Sequence, residues 1–288
     1  MKNKLFLLCS VITGGLLVYG TYAGLKLAPT EATMGDVQRI FYCHVPAAMA
    51  GFTLFFVNFL ASVYYLWKRS PRADALAIAA AEVGVVFCTV VLITGPIWAR
   101  FAWGKWWVWD MRLTTTLVLW LLYMSYLVLR RSSEAGSTAV LGAALAVFAF
   151  LDVPIVYMAN RWFRTSHPQP MIGTPNLDPA MASALYLNML AFFAFAGMIY
   201  WFRYELERTA QTVAAIHVRR ASMGTAMAVL PVTLLAQFEP PPPSHLDPHW
   251  FLYGAYSAAW LIYFAYLLMM MSRMSKLRKE EAKLRGAG

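Results

Sequence analysis

Eight apolar runs, at residues 5–27, 46–67, 76–98, 114–129, 138–158, 180–202, 222–238 and 250–272, partition this 288-residue chain. A helix needs about 20 predominantly apolar residues to cross the hydrocarbon core of a bilayer. Inside that core every backbone polar group must be bonded within the protein. Runs of this length therefore point to one fold class, an all-α integral membrane protein. The chain is 60% hydrophobic and 13% charged, which fits the bilayer better than water. The run at 222–238 is the weakest, being short and carrying Pro231. The first run follows Met1-Lys-Asn-Lys and has the look of a secretion signal. It is too long for a signal core, Thr21-Tyr22-Ala23 is a poor cleavage site, and Leu8 before Cys9 is wrong for a lipoprotein. It reads as a retained span.

The connectors fall into two alternating sets. One comprises the N-terminus, 68–72, 130–137, 203–220 and the tail after Ser272, and it holds 17 of the 24 Lys and Arg. The other comprises 28–45, 99–113, 159–179 and 239–249, and with Lys26 it holds the remaining 7. The excess of basic residues marks the cytoplasmic side. Both termini are thus expected in the cytoplasm, and the second set outside, in the periplasm of a bacterial inner membrane. A net charge of +10 scattered over short loops does not suit nucleic acid. There is no P-loop, no zinc-protease helix motif and no dinucleotide fingerprint. Cys9, Cys43 and Cys88 form no C-x-x-C or C-x-x-C-H pattern and read as buried free thiols. His217 reads as part of a solvated cytoplasmic face.

The unusual residues all lie in the second set. Five of the eleven Trp fall between Trp98 and Trp109, with Asp110 and Arg112 directly after. One or two Trp per helix end would be an anchoring belt; five with Gly104 among them suit a large, flat, apolar ligand with polar edges, such as haem. If the stretch is helical, Trp103, Trp107 and Asp110 share a face. Asp110 also suits the N-cap of the fourth span. His44 and His167 stand in two different outer connectors, and a neutral imidazole from each would clamp one iron from opposite sides. The alternative for each is an interfacial anchor with no ligand. Arg39, Arg100 and Arg112 lie in the same layer, where a guanidinium would pair with a haem propionate, with a lipid headgroup, or with Asp36 or Asp110. His245 and His249, beside the polyproline Pro240–Pro243, read as linker.

Trp103-Gly-Lys-Trp-Trp-Val-Trp-Asp-Met-Arg-Leu-Thr114 resembles the tryptophan-rich signature of haem-handling membrane proteins. With Tyr42-Cys-His-Val-Pro-Ala-Ala48 and His167, the chain resembles the CcmC family of cytochrome c maturation over about residues 1–205. The resemblance implies a six-helix bundle that holds haem b transiently and without a covalent bond at the periplasmic face. His44 and His167 would be its axial ligands. Trp103, Gly104, Trp106, Trp107, Trp109 and Asp110 would form its platform, with Arg39, Arg100 and Arg112 contacting propionates or the acceptor. It further implies delivery to a CcmE-like haem chaperone, beside the transporter subunits CcmA and CcmB and the small protein CcmD. The chain departs from the family after Arg203. Residues 206–245 are expected to form a cytoplasmic linker, a connecting span and a polyproline spacer. Residues 246–288 resemble CcmD, a single span with a basic tail, and the spacer is expected to aim it away from the seventh span. No general acid or base stands out, so whether such a protein is an enzyme is a matter of definition. The competing functions are an electron-transfer cytochrome b, whose His ligands would lie inside spans, and a solute transporter, which needs mid-span ionisable residues such as Glu82 and Asp152.

Overall fold

The computed structural model describes residues 2–131, 137–169, 172, 177–221 and 248–286. The regular structure among them is helical: α1 (Lys2–Tyr22), α2 (Phe41–Lys68), α3 (Pro71–Trp103), α4 (Met111–Arg131), α5 (Ser137–Phe150), α6 (Asp152–Trp162), α7 (Pro179–Ala221) and α8 (Pro248–Gly286). A π-turn at Ala23–Leu27 extends α1, and a 3-10 turn at Asp36–Ile40 leads into α2. These helices supply seven segments long and apolar enough to cross a membrane. They coincide with seven of the eight apolar runs; the run at 222–238 lies outside the described residues.

One crossing is broken in the middle. α5 stops at Phe150 and α6 restarts at Asp152, with Leu151 in a turn between them. Pro154 explains the break, since it has no N–H to donate to the Phe150 carbonyl one turn back. Before the break Phe56 and Phe59 of α2 lie against Phe150, with ring centroids 5.7 and 4.6 Å away. After it, α6 packs on α4 and α5.

α2 and α3 form the central pair. α1 is held to α7 where Asn188 donates to the Gly20 carbonyl at 2.7 Å. α8 packs into the bundle; the polyproline spacer and the seventh apolar run, from which it was expected to be aimed away, lie outside the described residues. It lies against α3 and α7, with Tyr263 tilted on Phe87 at 5.0 Å and edge-on to Phe195 at 5.3 Å. Two hydroxyls on the same helix face fix it further. Tyr256 donates to the Arg39 carbonyl at 3.1 Å and Tyr266 to Glu82 at 3.1 Å. Aromatic area with buried hydroxyl partners holds α8 in this seat.

At the basic end of the bundle, Arg203 is 2% exposed and bonds Glu82 and Glu207, each at 2.9 Å. Arg130 bonds Asp74 at 2.7 Å nearby. At that same end His217 of α7 meets Glu280 of α8 at 2.7 Å, while at the opposite end His249 stands 3.9 Å from Asp36. α7 and α8 therefore run parallel.

Candidate functional site

The end of the bundle opposite these ion pairs holds a cavity of about 480 Å³. Its walls come from α2, α3, α4, α6 and the start of α7 and from the connectors before α2, between α3 and α4, and after α6. Apolar side chains dominate, as ligand cavities require, with a few polar groups to orient a guest.

His44 and His167 both line it, close enough that a charge on one would be felt by the other. His44 sits in the first turn of α2. Its Nδ1 is 2.8 Å from the Thr94 hydroxyl of α3. The ring passes over Gly95, where an added Cβ would stand 3.4 Å from His44 Cε1. His167 is on the connector after α6, which Asn160 organises. Asn160 Nδ2 donates to the Pro168 carbonyl at 2.7 Å, and its own carbonyl accepts from Gln169 at 3.1 Å. Asp110 ties the same connector to α4: one carboxylate oxygen accepts from Leu113 N at 2.9 Å, capping the helix, and the other from Ser166 N at 3.2 Å. Asp110 thus supports the His167 segment and is not itself part of the cavity wall.

The Trp segment is not a helix throughout. α3 ends at Trp103, and Gly104 caps it at φ +70°, a left-handed conformation that favours glycine. Residues 105–110 are irregular, so Trp103, Trp107 and Asp110 do not form one helix face. The tryptophans divide instead into two groups. Trp98, Trp103 and Trp107 line the cavity, with Trp98 and Trp103 edge-to-face at 5.1 Å. Trp106 and Trp109 are 50% and 76% exposed, and Trp106 leans towards Phe251 of α8. Trp107 Nε1 is buried and has no acceptor among the described residues.

The arginines divide too. Arg112 lines the cavity and donates to Asn160 Oδ1 at 3.2 Å. Arg39 does not reach it. Its guanidinium is buried against Asp36 at 2.9 Å, the Gly24 and Ala28 carbonyls at 3.0 and 2.8 Å and the Thr30 hydroxyl at 3.0 Å, bracing the turn between α1 and α2. Arg100 folds back onto the Gly104 carbonyl and over the Trp106 ring, outside the wall. Arg161, which the sequence reading passed over, lines the cavity beside Tyr157. An Arg at the end of a span reads as an interfacial anchor; only its place next to Asn160 hinted at more.

Burial pulls the His167 imidazole down to about 4, and the Arg112 guanidinium adds to the effect. A histidine lowered in the folded state is less protonated there than in the unfolded chain between about pH 6.5 and 4, so stability from it falls as pH drops through that window. The ring stays neutral, with a lone pair to offer, well below the usual imidazole range. Any spectrum that depends on His167 as a ligand is therefore expected to persist unchanged from pH 7 to about 5.5. Absorption spectra across that range check this; a transition centred near 6.5 would contradict it.

The profile of the heme exporter protein C family matches residues 1–223. The chain belongs to that family. Family members include the heme exporter protein C of Bradyrhizobium diazoefficiens, 34% identical over 181 residues that make up 62% of this chain and 68% of the relative. That of Haemophilus influenzae is 32% identical over 217 residues, 71% of this chain and 85% of the relative. A putative cytochrome c biosynthesis ccmC-like mitochondrial protein of Marchantia polymorpha is 27% identical over 210 residues, 72% of this chain and 87% of the relative. The family match includes His44, His167 and every cavity tryptophan, and it ends before α8.

Proposed function

We propose that this membrane protein holds haem in the cavity between His44 and His167 and passes it to an acceptor during cytochrome c maturation. The observation that carries the reading is the convergence of two neutral imidazoles, from separate elements, on one apolar cavity. Among the described residues no three His, Cys, Asp or Glu are grouped to hold a bare metal ion. Two imidazoles are too few for such an ion but complete the coordination of iron already held by four porphyrin nitrogens. The donor set fits in other respects. Arg112 and Arg161 suit two propionates, and the orphan Trp107 Nε1 suits an acceptor on the guest.

In this reading the bilayer-embedded bundle faces its cavity to the periplasm of a bacterial inner membrane, with both termini in the cytoplasm. Haem b is held without a covalent bond and for a short time. When bound it supplies an iron centre and reactive vinyl groups; the chain supplies position and exclusion of water. His44 and His167 hold the iron, and Trp98, Trp103 and Trp107 orient the ring. The acceptor is a CcmE-like chaperone, with CcmA, CcmB and CcmD as the assembly partners. Residues 246–288 serve the part of CcmD in cis, with exposed Trp109 and Trp250 on the same outer end as the cavity.

The platform is tested by haem content after purification. Trp107→Ala and Trp103→Ala are each expected to weaken binding by about 1–3 kcal/mol, the range for one aromatic stacking partner. Trp109→Ala and Trp201→Ala are expected to leave it unchanged. Equal losses in all four would return the tryptophans to an anchoring role. Transfer is tested by mixing haem-loaded protein with an apo CcmE-like acceptor. Covalent haem on the acceptor is expected with the wild type and not after His44→Ala with His167→Ala; equal transfer from both would contradict the proposal.

A further inference from the structure

We infer that the two imidazoles are unequal: Thr94 fixes His44 as the resident ligand, and Asn160 leaves His167 as the ligand that departs when haem is handed on. This rests on the haem reading above and concerns the residues behind the two rings.

Thr94 is fully buried and has one hydroxyl proton, which it donates to the Val90 carbonyl at 2.8 Å within its own helix. Towards His44 it is then an acceptor, at 2.8 Å from Nδ1. That requires the proton on Nδ1 and leaves the lone pair on Nε2, which has no hydrogen-bond partner among the described residues. The ring is locked in the tautomer that ligates. His167 has no such lock. Its Nδ1 stands between an acceptor and a donor, 2.9 Å from the Pro168 carbonyl and 3.2 Å from Asn160 Nδ2. With the proton on Nδ1 it bonds Pro168 and Nε2 is free to ligate. With the proton on Nε2 it accepts from Asn160 and cannot ligate. Nδ1 finds a partner in either tautomer, so neither is locked from behind. Asn160 is itself held by Arg112 on Oδ1, which keeps its NH2 turned to the histidine. The ligand on the connector can let go; the ligand in the helix cannot.

The test uses the full-length protein with ¹⁵N-labelled histidine in lipid bilayers. Without haem, ring ¹⁵N shifts are expected to give a single Nδ1–H tautomer for His44 and a mixture for His167. Thr94→Val is expected to turn His44 into a mixture, and Thr94→Ser to restore it. After haem loading, exchange with added cyanide reads the departing ligand. Asn160→Asp keeps the oxygen for Arg112 but replaces the donor by a second acceptor. It is expected to slow exchange about tenfold, the scale of second-shell effects on metal ligands. Thr94→Val unlocks the second ring as well and is expected to speed exchange, never to slow it. A His44 protonated on Nε2, identical tautomers in both rings, or an exchange rate set by Thr94 and not by Asn160 would overturn the inference. If the wild type carries no six-coordinate haem, the haem reading fails and the tautomer measurement alone still decides the asymmetry.

Discussion

Replacing His44 with Ala is expected to remove almost all bound haem from the purified protein, and His167→Ala to leave a smaller, five-coordinate population. Loss of a partner behind a ligand lowers metal affinity by about 10–100-fold, and loss of the ligand itself exceeds that. The difference follows from the frame of each residue. His44 is buried in a helix and fixed from behind at 2.8 Å, whereas His167 hangs on a connector. Added imidazole is expected to restore the low-spin spectrum in part, more readily at the His167 position. The pyridine haemochrome assay and the absorption spectrum measure both effects. Equal haem content in the two variants and the wild type would contradict the ligand assignment.

The second large effect lies at the other end of the bundle. Arg203→Leu is expected to destabilise the protein by about 3–5 kcal/mol, the cost of leaving a buried charge without its partner. Among the described residues Glu82 would keep the Tyr266 hydroxyl and the largely exposed Arg131 at 3.8 Å. The same substitution frees Glu207 and loosens the seat of α8. Glu82→Gln combined with Arg203→Leu removes both charges and is expected to be more stable than Arg203→Leu alone. Unfolding in detergent, followed by near-ultraviolet circular dichroism, tests the order. A double variant as damaged as the single one would show that the pair is not coupled. Bound haem is expected to keep its spectrum in all three proteins, since the ion pair is remote from the cavity. Glu82, paired with Arg203 and Tyr266, ties α3 to α7 and α8 at the basic end of the bundle.

The crossings were legible in the sequence because a span depends on summed hydropathy, which a run of residues carries by itself. The fold class and seven helical segments follow from it. The break at Leu151 was also written there, in Pro154, but an unbroken apolar run hides it. Helix partners are less legible. Tyr256, Tyr263 and Tyr266 recur on one face of α8, yet nothing local says that their rings and hydroxyls meet Phe87, Phe195, Glu82 and the Arg39 carbonyl. In the site, the shared end of the chain for His44, His167 and the Trp segment came from alternating connectors alone. The sorting within that layer did not. Gly104 ends α3 and Trp106 and Trp109 stand outward, and the helical period that grouped Trp103 with Trp107 also grouped Asp110, which lies outside the cavity wall. Arg39 and Arg161 look alike in sequence. The first is captured by carbonyls of the α1–α2 turn, and the second is left facing the cavity, because their backbones deliver them to different partners.

The account stands or falls on what occupies the cavity. The most direct measurement is the absorption and electron paramagnetic resonance spectrum of the full-length protein, purified from haem-replete membranes and oxidised. The account predicts a low-spin ferric haem with two imidazole ligands, lost when His44 and His167 are both replaced. A protein that carries no haem, or one whose haem signal survives the double replacement, would contradict it.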